Sequence, residues 1–130
     1  MHRMDLNFFA DPGLAPKPRT EIRIEKLEIS AYPDGRRIRV ELELTPFAPK
    51  DRPNIEITAF RSDGAQVGST TIIEAVQRTI GLTLHLREDK QPHGEYRFTT
   101  QLFFGEEPVQ YELEQTLFIS ASENDKELKD

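Results

Sequence analysis

From residue 37 to residue 44 the chain reads Arg-Ile-Arg-Val-Glu-Leu-Glu-Leu, a strict alternation of charged and branched apolar residues. Side chains on a strand point alternately to its two faces, whereas a helix would scatter these four apolar groups around its axis. The segment can therefore bury one clean face only as a strand, and that face needs a second layer to cover it.

The same period of two recurs through most of residues 20 to 119. A first run, about 20 to 31, places Ile22 and Ile24 on one parity and Leu27 and Ile29 on the other, which predicts a bulge or a change of sheet near Glu25 and Lys26. Tyr32-Pro33-Asp34-Gly35 then turns the chain into the second run, Ile38, Val40, Leu42 and Leu44. Pro46, Pro49 and Pro53 end it and make residues 45 to 53 a connection able to cross between sheets. The third run carries Ile55, Ile57 and Ala59, and Asp63-Gly64 supplies the positive φ of a hairpin turn. Its partner, about 66 to 74, has Val67 and Ile73 on one parity and Ile72 on the other, the weaker pattern of an edge strand. Ile80, Leu82, Leu84 and Leu86 define a fifth run, Tyr96, Phe98, Thr100, Leu102 and Phe104 a sixth, and Val109, Tyr111, Leu113, Leu117 and Ile119 a seventh. With no convincing helical window, the expected fold is all-β: a seven-stranded, two-layer antiparallel β-sandwich.

Composition bounds what such a domain does. At 130 residues, folding hides roughly 68% of the area the unfolded chain exposes, enough for a real core. The absence of cysteine excludes disulfides, thiolate metal sites and a cysteine nucleophile. A net charge of -6 and a pI near 5.1 oppose non-specific binding to nucleic acid or anionic membranes. No apolar run approaches the roughly 20 residues of a membrane helix. The patch of Leu6, Phe8, Phe9 and Ala10 is too short for an export signal, so the expected location is the cytoplasm, with Met4 a candidate initiator besides Met1. Residues 1–19, with prolines at 12, 16 and 18, read as an extended arm, residues 20–120 as the sandwich, and residues 121–130 as an acidic, solvated tail.

Pro92-His93-Gly94-Glu95-Tyr96-Arg97-Phe98 resembles the start of the sixth strand in immunoglobulin-like and fibronectin type III-like domains. The resemblance implies that the Tyr96 hydroxyl pins the corner before this strand by bonding to nearby backbone. The tight hairpin after the third strand resembles the fibronectin type III arrangement. It implies one sheet of strands one, two and five, and another of strands three, four, six and seven. The cysteine pair and tryptophan of antibody domains are missing. The Pro-Asp-Gly-Arg-Arg stretch and the run after it are also similar to those of small uncharacterised bacterial single-domain proteins, a likeness that implies no activity.

Candidate chemistry is sparse. His2, His85 and His93 lie far apart in sequence with no metal-ligand spacing, and surface or packing roles suit His85 and His93 better than catalysis or metal binding. No nucleophile elbow or phosphate-binding glycine loop occurs, and no cofactor is expected. Asp34, Asp51, Asp63, Glu88, Asp89, Glu106 and Glu107 fall in predicted loops and raise the question of Ca²⁺. The turns that carry them need not share one end of a sandwich, so solvated loop acids are the expectation. Phe60, Phe103 and Phe118 fall on the outer parity of their strands, and Leu6, Phe8 and Phe9 precede the proline-rich stretch. These six residues are the candidate contact surface, the arm docking on its own sandwich or on another chain. The expected function is a non-catalytic protein-interaction or assembly domain, not an enzyme. Its partner is another protein or a second copy. The alternative is a sandwich that binds carbohydrate or Ca²⁺.

Overall fold

A computed structural model describes residues 15–120. Residues 1–14 and 121–130 lie outside the described residues, and with them most of the expected arm and the expected tail. Seven strands follow one another: β1 (Ile24–Ala31), β2 (Arg37–Leu44), β3 (Asn54–Arg61), β4 (Gln66–Ile72), β5 (Thr79–His85), β6 (Gly94–Phe103) and β7 (Tyr111–Ile119). They form two antiparallel sheets, one ordered β1-β2-β5 and the other β4-β3-β6-β7. This two-layer sandwich has the strand partition that the resemblance to fibronectin type III-like domains implied.

The alternation in β2 is realised without exception: Ile38, Val40, Leu42 and Leu44 are buried, and none is more than 2% exposed. Across the layer they meet Ile55, Ile57 and Ala59 of β3 and Tyr96, Phe98 and Leu102 of β6, so the two central strands of the larger sheet supply most of the opposing wall. The change of parity in the first run comes from a shift in pairing register. Ile24 pairs with Leu44 and Lys26 with Glu43, so Glu25 is an extra residue, a bulge that returns Ile29 to the inner face.

Three expectations are corrected. The first strand begins at Ile24 and not near residue 20, because Arg19–Glu21 form a 3-10 turn ahead of it. β4 ends at Ile72, and Glu74 takes a positive φ of 50°. Ile73 therefore leaves the parity of Val67 and is 68% exposed. Val109 precedes β7 and is likewise exposed, since Gln110 bonds back to the Leu102 carbonyl before the strand starts.

Candidate functional site

The turn between β1 and β2, the hairpin between β3 and β4, and the loop between β5 and β6 gather at one pole of the sandwich. Gln91 donates from its side chain to the Asp34 carbonyl at 2.6 Å. Arg36 donates to the Glu88 carbonyl at 2.7 Å, and Arg61 reaches the Glu88 carboxylate at the same distance. The expectation that these turns need not share an end is thus overturned. In this topology β1 to β2, β3 to β4 and β5 to β6 all reverse at the same side.

Local sequence builds each piece. Asp34 accepts from the backbone N–H groups of Arg36 and Arg37 and from the Arg37 guanidinium, which holds its carboxyl below the usual carboxylate range. In the hairpin, Gly64 adopts a φ of 94° and Asp63 accepts from both the Ala65 N–H and Arg61. Arg61 lowers the Asp63 pKa, and Asp63, then Glu88, raise that of Arg61.

Glu88 is the correction that matters most here. Expected as a solvated loop acid, its side chain is only 7% exposed. One carboxylate oxygen takes Arg61 and the other takes the Tyr96 hydroxyl in a short hydrogen bond. Tyr96 does pin the corner, but through this side chain, with a backbone contact from His93, where the resemblance implied backbone alone. Burial first, and the Glu88 bond second, push the Tyr96 pKa up to about 12. Nothing in the sequence marks Glu88 apart from Asp89 beside it. Only the packing of the β3–β4 hairpin against this loop does so. Beside the cluster lies an open hollow of about 340 Å³, lined in part by Glu88, Asp89, Lys90 and His93.

Four of the loop acids are held by arginines. Asp51 pairs with Arg19 at the opposite pole, Asp34 with Arg37, and Asp63 and Glu88 with Arg61. Among the described residues no group of three His, Asp or Glu side chains is placed to hold a metal ion, and no helix is long and apolar enough to cross a membrane. His85 is exposed at the end of β5, and His93 is exposed in the loop ahead of β6.

The three outer phenylalanines separate. Phe60 lies under the Arg97 guanidinium, 4.4 Å from the ring centre. Phe118 is 63% exposed and meets the His93 ring edge-on at 6.0 Å. Phe60 pairs with Arg97, and Phe118 with Glu95 two residues away on β6, so these two share the pole described above. Phe103 pairs with Asn54 at the other end of β3 and is half-buried. Leu6, Phe8 and Phe9 lie outside the described residues.

No protein-family profile matches the chain, and no curated protein matches its sequence. Solved structures do match in fold. They include β-glucuronidase of Bifidobacterium dentium in complex with coumarin-3-O-glucuronide, at a TM-score of 0.57 and 15% identity. That match covers 77% of this chain and 18% of that one. Lactobacillus rhamnosus β-glucuronidase gives a TM-score of 0.51 at 15% identity, over 76% and 16% of the two chains. Parabacteroides merdae β-glucuronidase gives 0.54 at 13% identity, over 75% and 14%. This chain thus spans less than a fifth of each of these enzymes, and at such identities the likeness is one of fold.

Proposed function

We propose that the protein is a non-catalytic interaction domain that engages a protein partner through the outer face of the larger sheet, around Phe118. The observation that carries this reading is the 63% exposure of Phe118 on an otherwise regular strand, where its neighbours Glu112, Glu114 and Thr116 are polar. A large ring held in water on a sheet face gains about 1.5 to 3 kcal/mol when a partner covers it. The polar groups at the same pole support the reading too. Arg61, Asp63, Glu88 and Tyr96 are paired with one another and so act as structural ties.

The test compares the native chain with Phe118→Ser in light scattering over a concentration series and in capture of partners from the native cell. The expected result is loss of association with an unchanged melting temperature, because the side chain is exposed. Retention of every association by the variant sinks the proposal.

A second reading, a sandwich that binds carbohydrate, is favoured by one feature: the exposed Phe118 ring and His93 sit beside the polar hollow at the loop pole. The fold neighbours are glycosidase chains. Calorimetric titration with a glycan panel and with Ca²⁺ separates the readings. Heat and a raised melting temperature, lost in Phe118→Ser, would favour the second.

A further inference from the structure

β4 and β5 are the outer strands of their respective sheets, and among the described residues each has one edge that no strand pairs. Near the loop pole the two edges close on each other. The Arg87 N–H donates to the Val67 carbonyl at 2.7 Å, and Gly68 lies so near the His85 carbonyl that a Cβ would stand 3.0 Å from its oxygen. Toward the opposite pole they part, and the gap is a groove of about 300 Å³ walled by Ile72, Ala75, Val76, Ile80 and Leu82. Its lining contains no charged side chain. Val76 is 71% exposed at its mouth, beside Ile73.

We propose that residues 6–10 of the same chain, Leu-Asn-Phe-Phe-Ala, occupy this groove as a strand added to the free edge of β5, with Leu6 and Phe8 directed inward. Position favours this occupant. The described chain begins at the pole where the groove opens: Lys17 donates to the Pro46 carbonyl at 2.9 Å, two residues beyond Leu44, whose N–H bonds the Arg78 carbonyl just ahead of β5. Arg19 and Ile73 line one depression at that pole. Reach is sufficient, since the seven residues from Ala10 to Lys17 span up to about 25 Å when extended, and Pro12 and Pro16 suit an extended path.

Direction and chemistry agree with position. A segment running toward Lys17 runs toward the start of β5, which makes it antiparallel to that strand, the commoner pairing. Leu6, Phe8 and Ala10 alternate, and residues 6–10 are uncharged like the groove. Phe118 is on β7, at the far side of the larger sheet from β4, so this surface and the one proposed above are tested independently.

The experiment places a photoreactive benzoylphenylalanine at Phe8 in the full chain and maps cross-links in the monomer band after irradiation at low concentration. Cross-links to residues 72 to 82 are expected. In parallel, amide exchange across residues 79 to 83 is expected to be about tenfold slower in the native chain than in the full-length Leu6→Ser, Phe8→Ser, Phe9→Ser variant. Val76→Lys, at an exposed position, should lower the cross-link yield while leaving the melting temperature alone. The proposal is overturned by cross-links elsewhere on the monomer, by their absence, or by cross-links found only in a covalent dimer, which would mean an arm exchanged between copies. Equal exchange rates in the native chain and the triple variant, or an unchanged cross-link yield in Val76→Lys, overturn it as well.

Discussion

Thr100 stands on the inner face of β6, fully buried, between Ile57 of β3 and Leu113 of β7 in the pairing register. Among the described residues its Oγ1 has no hydrogen-bond partner. A hydroxyl desolvated without compensation costs about 1 to 3 kcal/mol, and valine has nearly the same shape. Thr100→Val is therefore expected to raise stability by about 1 kcal/mol, read as a higher urea midpoint at unchanged slope. The alternation placed Thr100 on the core parity, but an unmet hydroxyl is a property of its neighbours and leaves no mark on the residue's own surroundings in sequence. Glu88 escaped for the same reason. A carboxylate in a polar loop reads as solvated until the arginine of a hairpin 27 positions earlier is known to reach it.

At the scale of elements, periodicity was an accurate guide wherever a strand is flanked on both sides. β2, β3 and β6 have the inner faces their alternation required, and the bulge near Glu25 was visible as a change of parity. The edge strands were harder. β4 stops two residues early because Glu74 turns in a region that glutamate seldom visits, and no glycine or proline announces the turn. Its other end rests on Gly68, which allows the β4 edge to close on the His85 carbonyl. Gly68→Ala sets a methyl group 3.0 Å from the His85 carbonyl oxygen, closer than ordinary contact, so a loss of about 1 to 3 kcal/mol is expected. Amide exchange at residues 85 to 87 should quicken in the variant more than exchange at the centre of β6.

For the molecule as a whole, the corner cluster sets the response to alkali. Tyr96 has its pKa raised from 10.0 to about 12, so the folded state holds that proton more tightly than the unfolded chain does. The stabilisation is complete below pH 10 and is lost as pH rises toward 12. Tyr32, half-buried, has its pKa lowered by its hydrogen bond with Thr83 and acts in the opposite sense. Between pH 10 and 12 the native protein is expected to lose more stability than Tyr96→Phe, measured by denaturant midpoints at each pH; parallel curves would show that the tyrosine does not govern the loss. At this scale the two-sheet partition came from the resemblance of the tight hairpin to the fibronectin type III arrangement, and periodicity alone did not supply it. The gathering of three reversals at one pole was not legible, because it depends on how the layers face.

The described chain enters at one pole, where Lys17 joins Pro46, and leaves at the other, where Ile119 pairs with Gly94. β1 and β7, the first and last strands, run in the same sense between those poles. A tug on the two flanks would therefore act along the strands and across their ladder bonds. Every bond of a ladder would share the load together, and the domain would yield by shearing, not by unzipping one rung at a time.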